Sequence, residues 1–266
     1  MLHNHGMLKR CLTAALSAGI VLSLSTSAAA ADAAQTAKAV STRTITTNGT
    51  VITGKITGNV VVSANNITFR DAIVDGEIRI VPESYGGIVT LDGESSANSV
   101  VMESEDMKLA VSPRTQVQSI TVKAPSASVE IAGSADSVQV EKNAQNVNIS
   151  ASAWQSVIKK VTVESVSANI YVAGKVEKLT APAEASGMSL NIVKGGRVSK
   201  IDTAADNITI AGTGGAYTVA VTSGKGVVIS GDLIMDRIEN QGDSTITVGN
   251  NALKPGQVIG DDDDDD

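Results

Sequence analysis

The chain has 266 residues, a net charge of −7 and 42% apolar residues, but aromatic side chains make up only 2%. With one Phe, three Tyr and one Trp, a core built on aromatic rings is excluded, and Val, Ile, Leu and Ala must fill it. The acidic balance, with no basic stripe evident along the sequence, gives nucleic-acid binding no electrostatic basis.

Residues 1–31 read as a Sec signal peptide. Lys9 and Arg10 form a charged n-region, Leu12 to Leu24 an apolar core, and Ala28 to Ala31 a small-residue cleavage zone. The apolar run falls short of the ~20 residues that a membrane span needs, so the mature chain is expected to be secreted, either free or associated with a cell surface. His3, His5 and Cys11 are the only histidines and the only cysteine, and they leave with this segment. Ser-His-Asp and Cys-His catalysis, the usual zinc sites and disulfides are then excluded. Loss of Lys9 and Arg10 takes the charge to −9, and Asp261 to Asp266 carry −6 of that, leaving the rest near −3. Residues 32–43 read as a disordered linker.

From 44 to 253 one pattern returns: two β-favouring residues around a variable one, then a polar or glycine turn. Its copies begin at Ile67, Val89, Leu109, Val129, Val147, Ile170, Leu190, Ile208, Val227 and Ile246, with starts 18 to 23 residues apart. Such a period predicts an all-β fold, a single-stranded right-handed parallel β-helix (β-solenoid) of about ten coils of ~20 residues. In a strand, residues i and i+2 share a face, so Val129, Val147, Ile170 and Leu190 are expected in one buried file. A second apolar column follows half a period later, from Ile78 through Ile120, Val138, Val161, Leu179 and Ile201 to Ile238. A third contact is expected before it at Val74, Val117, Val157, Val176, Val198 and Ile234. Glycines after the first strand (Gly133, Gly174, Gly212, Gly231, Gly249) mark turns. Asn66, Asn146, Asn169 and Asn207, just before it, read as a stacking ladder hydrogen-bonded between coils.

The stretch Ile56-Thr57-Gly58-Asn59-Val60-Val61-Val62-Ser63-Ala64-Asn65-Asn66-Ile67-Thr68-Phe69, followed by Ile73-Val74-Asp75-Gly76-Glu77-Ile78-Arg79-Ile80, resembles right-handed β-helix segments of surface proteins from endospore-forming Gram-positive bacteria. The close match covers about 52–102. It implies an exported, cell-surface or matrix role and brings no catalytic residues with it.

The outward positions show no chemistry of the enzymatic kind. A β-helix enzyme acting on acidic polysaccharide needs paired carboxylates with Arg or Lys on neighbouring coils, whereas Glu130 and Arg79 stand apart, and Glu103, Glu105 and Asp106 fall in a turn. No catalytic residue and no cofactor is predicted. Gly-Gly-x-Gly-x-Asp calcium turns and phosphate loops are absent.

Two features break the repeat. The coil from Val147 to Ile170 carries ~3 extra residues around Ser152-Ala153-Trp154-Gln155-Ser156. Trp154 either caps the core at a bulge or, with Tyr171, forms a platform for a sugar ring. Asn148 and Asn191, on the same outward column, complete the candidate ligand-binding residues. Residues 254–266 read as a disordered acidic tail, in which Asp261, Asp262, Asp263, Asp264, Asp265 and Asp266 either hold divalent cations weakly or only keep the chain soluble. The expectation is a secreted, non-enzymatic surface or matrix element that binds polysaccharide or cell-wall components, does not bind nucleic acid and has no membrane span. The alternatives are a self-assembling filament subunit and a polysaccharide lyase or hydrolase.

Overall fold

The computed structural model describes residues 41–260; the expected signal peptide and Asp261 to Asp266 lie outside them. Every described residue belongs to one compact unit.

Through most of the stack, runs of four residues alternate with runs of about seven, and a strand pairs in parallel with the next but one. Ser128–Ile131 lies between Lys108–Val111 and Asn148–Ala151, while Ser134–Val140 lies between Gln116–Val122 and Val157–Val163. That alternation arises when a chain winds with two strands per turn. About ten such coils of about 20 residues form a parallel β-solenoid; one 3-10 turn, Pro82–Ser84, is the sole helical element among the described residues.

Each coil is closed by one residue of unusual backbone. Asn66, Gly86, Asp106, Ser126, Asn146, Ser167, Gly187, Asn207 and Gly226 all have φ between 54° and 74° and recur 19 to 21 residues apart. This left-handed conformation costs an ordinary side chain energy, which selects Gly, Asn, Asp and small polar residues. The amides of Ser126, Asn146, Ser167, Gly187 and Asn207 donate across to carbonyls of the following coil, those of Gln145, Val166, Ser186, Asp206 and Lys225, at 2.7–3.4 Å. The asparagines therefore serve the backbone turn, and the expected side-chain ladder between them does not form among the described residues. Asn169 is no part of this column; it opens the strand Asn169–Val172.

The core is continuous and aliphatic. One file runs Ile67, Val89, Leu109, Val129, Ile149, Ile170, Leu190, Ile210, Ile229, Val248. Val147 is buried but does not stand in it. It belongs to a parallel file two residues earlier, with Met107, Ala127, Ala168, Met188, Ile208, Val227 and Ile246, all buried. The sequence register thus slips by two in the coils at Val147, Ile208, Val227 and Ile246. A slip of two leaves every side chain on its original face, so the alternation alone cannot detect it. The coil at Val147 also loses its apparent insertion: Asn146 to Ser167 spans one residue more than the usual period.

The second ladder places Ile78, Val100, Ile120, Val138, Val161, Leu179, Ile201, Val219 and Ile238 in one file, as expected. The third contact lies in the same strands, in the file Val74, Ala97, Val117, Ala135, Ile158, Val176, Val198, Ala216. Ile158 replaces the expected Val157, and Ile234 is exposed instead of buried.

Both expected domain edges move. Thr42–Ile45, partly within the expected linker, pairs with Asn59–Val62 and opens the stack. At the other end, Asn251–Leu253 folds back antiparallel on Ile246–Val248, and Val258–Ile259, within the expected disordered tail, pairs antiparallel with Arg237–Asn240. Asn240 anchors this closure: its buried Nδ2 donates to the carbonyls of Ser244 and Leu253, both at 2.9 Å. The turn at Gly256 (φ 76°) reverses the chain, and its amide donates to the Asn240 carbonyl at 2.7 Å. Strands that cover the last coil remove a free parallel edge.

Asn146→Val should destabilise the solenoid by about 1–2 kcal/mol, because a β-branched side chain resists positive φ, whereas Asn146→Gly should change it little. Urea unfolding of both variants followed by circular dichroism checks this.

Candidate functional site

The longer strands share a motif in which two successive residues face outward between core positions, as in Val157–Val163 (VIKKVTV), Lys175–Ala181 (KVEKLTA) and Arg197–Thr203 (RVSKIDT). Two outward residues in a row break the alternation, so the strand bends there and leaves a ridge running up the stack. The second position of the bend reads Ser99, Ser119, Ser137, Lys160, Lys178, Lys200, Thr218 and Arg237 in paired register. Three serines give way to three lysines.

Lys160, Lys178 and Lys200 thus stand one coil apart, at the ~4.8 Å spacing of neighbouring strands. Like charges that close repel; Asp202 is the carboxylate shared between two of the three lysines, and Glu239, paired with Arg237, also lies within reach of the Lys200 charge. Asp202 Oδ2 accepts from Lys178 Nζ at 2.9 Å and its Oδ1 pairs with Lys200 Nζ at 3.3 Å. Burial pushes the Asp202 carboxyl upward, but the hydrogen bonds from Lys178 and Lys200 outweigh it and hold the group below its usual range. Lys160 is exposed and, among the described residues, has no ion-pair partner. Flanking it, Lys159 pairs with Asp136 at 2.7 Å and Lys175 with Glu177 at 2.7 Å, while Arg197 opens the next strand. The local balance is therefore cationic on an acidic chain, contrary to the sequence reading of no basic stripe. The signal was present as Lys-Val, Lys-Leu and Lys-Ile before three successive core positions. It is invisible until the register sets those lysines over one another.

A shallow groove adjoins the ridge. Gln116, Gln118, Ser134, Asp136, Val157 and Lys159 line a depression of about 310 Å³. It continues past Gln116 and Ser134 into a notch of about 170 Å³ between Arg114 and Gln155. The notch exists because the turn at Ala132–Gly133 is two residues long while its neighbours, Ser112–Thr115 and Ser152–Ser156, are longer. A Cβ on Gly133 would lie 2.4 Å from the Thr115 carbonyl oxygen and 2.5 Å from that of Ser112, so nothing larger fits under the overhanging turn.

The four residues proposed from sequence do not share one outward column. Trp154 projects from the Ser152–Ser156 turn, 85% exposed, and does not cap the core. Tyr171 lies on the strand Asn169–Val172, flanked across the ladder by Ser150 and Asn191. Asn191 is therefore its direct neighbour, but Asn148 occupies a different outward column, between Ser128 and Asn169. Asp261 to Asp266 fall outside the described residues, and no group of three or more His, Cys, Asp or Glu able to hold a metal occurs among those described.

The groups named for an enzymatic alternative are engaged elsewhere. Glu130 pairs with Lys108 at 2.5 Å, and Arg79 makes a two-point contact with Glu103, Nε–Oε2 at 2.8 Å and Nη2–Oε1 at 2.9 Å. Lys123 bridges Glu103 and Glu141 at 3.7 and 4.0 Å, extending that network over successive coils. The Arg79 hydrogen bonds hold the Glu103 carboxyl below its usual range. Comparison with known families, curated proteins and solved structures finds no match to this chain. No helix among the described residues is long and apolar enough to cross a membrane.

Carboxyls depressed in the folded state stabilise it above their unfolded pKa, and that stability is lost as pH falls through the folded values. Asp202 and Glu103, with Asp92 and Glu239, all shift downward. The melting temperature should therefore hold steady at neutral pH and fall below about pH 4. In Asp202→Asn the acid-side decline should be shallower, as differential scanning calorimetry across pH will show.

Proposed function

We propose that this chain is a non-enzymatic, extracellular β-solenoid that holds an acidic polysaccharide along its lysine column. The observation that carries the reading is the register of Lys160, Lys178 and Lys200, three cations repeated at the coil rise on one ridge. A linear glycan bearing one anionic group per sugar presents charge at a repeat of similar order, so one chain can meet several lysines at once. Each exposed contact is weak, about 0.2–1 kcal/mol, and affinity comes from their number. The polar groove beside the ridge, with Gln116, Gln118 and Asp136, offers hydrogen-bonding groups to sugar hydroxyls.

Several features favour this reading over its competitors. Duplex DNA carries one charge per ~1.7 Å, a density that three lysines with an intervening Asp202 match poorly. The ion pairs of Glu130 and Arg79, on separate ladders, weigh against a lyase or hydrolase site built from them. The antiparallel closure at Val258–Ile259 weighs against end-to-end stacking into a filament. The signal-peptide pattern and the likeness of 52–102 to bacterial surface β-helices support the extracellular setting.

Binding of the protein to polygalacturonate, a sulfated glycan, neutral dextran and duplex DNA, each over a salt series, tests the proposal. The acidic glycans should bind and dextran should not. The K160Q/K178Q/K200Q variant should bind about tenfold or more weakly, with a shallower salt dependence. Unchanged glycan affinity in that variant, or tighter binding to DNA than to either acidic glycan, overturns it.

A further inference from the structure

The corner between the short and the long strand repeats every second coil from Ser112 onward. Residues 112–115, 153–156 and 193–196 are β-turns, each closed by the amide of its last residue on the carbonyl of its first, at 3.1, 2.9 and 2.8 Å. In the coils between and after them the chain turns over two residues, Ala132-Gly133, Ala173-Gly174 and Thr213-Gly214. The glycine of each short turn lies against the preceding long one. A Cβ there would stand 2.4–2.6 Å from the carbonyl oxygens of that turn's first and last residues: Ser112 and Thr115 at Gly133, Ala153 and Ser156 at Gly174, Val193 and Gly196 at Gly214. The short turns are therefore recessed, and the long ones stand proud at two-coil intervals of about 9.6 Å. Their tips are Pro113-Arg114, Trp154-Gln155 and Lys194-Gly195.

We propose that these turns form a second binding track, centred on Trp154, for an extended β-linked glycan with a two-sugar repeat. Trp154 is the chain's single tryptophan and is 85% exposed. Its turn is braced from below: Ser156 is fully buried, and its Oγ donates to the Ala153 carbonyl at 2.6 Å beside the closing amide. An indole held clear of the core on a fixed turn is available to stack on the C–H face of a pyranose ring. On one side of it lies the notch of about 170 Å³ between Arg114 and Gln155, close to the volume of one sugar ring, with Gln116 and Ser134 as hydrogen-bonding groups. On the other side the recessed turn at Gly174 separates Trp154 from Lys194. Spacing selects the polymer. Successive rings of an extended β-linked glycan flip, so like faces recur every second sugar at about 10 Å, in step with the two-coil interval. An extended peptide repeats its faces every ~6.8 Å, out of step with the turns, and α-1,4-linked glucans curl away from a straight track. Lys194 and Arg114 offer donors to hydroxyls or carboxylates of sugars on either side of the stacked ring. The pair of Arg114 with Glu94, 3.3 Å apart and 74% exposed at both ends, is weak enough to yield to a ligand. This track is separate from the lysine column and does not rest on it.

With one tryptophan in the chain, its own fluorescence reads the site. Titration with chitohexaose, cellohexaose and a hyaluronan hexasaccharide should shift Trp154 emission to the blue and saturate for at least one of them, while maltohexaose at the same concentrations leaves it unchanged. Response to the neutral oligomers assigns an uncharged glycan; response to the hyaluronan oligomer alone assigns one with a carboxylate in each repeat, and K194Q should then weaken it. By calorimetry, Trp154→Ala should lower affinity for the responding oligomer about tenfold or more and Trp154→Phe should restore part of it, with the melting temperature of both variants unchanged because the side chain lies outside the core. The K160Q/K178Q/K200Q variant should bind the oligomer as the wild type does, so loss of the lysine-column reading leaves this one standing. No emission change with any of the three β-linked oligomers, an equal response to maltohexaose, or undiminished binding by Trp154→Ala overturns the inference.

Discussion

The solenoid depends on a single backbone conformation repeated at one corner. A left-handed residue turns the chain from the long strand back into the short one, and its amide reaches a carbonyl of the following coil. Because the corner recurs every 19 to 21 residues, each coil restarts from the same point in space. Strand pairing, the aliphatic files and the outward columns all inherit that phase. The residue types at the corner differ (Asn, Gly, Asp, Ser), but their shared property is tolerance of positive φ.

Strict phase turns small sequence choices into surface features. A lysine at one bend position is an ordinary solvated side chain. Three in successive coils form a column of charge at the spacing of strands, with Asp202 shared between two of them. The change from Ser99, Ser119 and Ser137 to Lys160, Lys178 and Lys200 gives one half of the ridge a different chemistry with no change in its backbone. The same logic shapes the notch over Gly133, where a short turn between two longer ones leaves a gap under overhanging carbonyls. Function in such a fold lies in the columns, and the columns are set by register.

Much of the architecture was legible in the chain. The period, the alternation of apolar residues and the turn residues led to a β-solenoid of about ten coils, and the second ladder was placed in correct register throughout. The first ladder was displaced by two residues at Val147 and again from Ile208 onward. Asn146 and Asn207, read as a hydrogen-bonding ladder, were in fact the marks that fix the phase, and counting from them places Ile149 and Ile210 in the file. The displacement carried into the site: it put Asn148 beside Tyr171, where Ser150 stands. The lysine column escaped notice because it occupies the second of two outward residues at a bend, a position that strict alternation does not anticipate. Trp154, left open between core cap and exposed side chain, proved to be exposed.

Sequence by itself determined the class of fold, since burial of alternate aliphatic residues every 20 positions has few other solutions in a chain so poor in aromatics. It also determined which residues of the short strands point inward, because facing there follows parity; in the longer strands the bend with two outward residues in a row breaks that parity. What only the tertiary structure decided was which residues stand over one another, because parity is blind to shifts of two. The closure at Val258–Ile259 likewise emerged only in three dimensions, since an antiparallel return depends on where the last coil leaves its free edges.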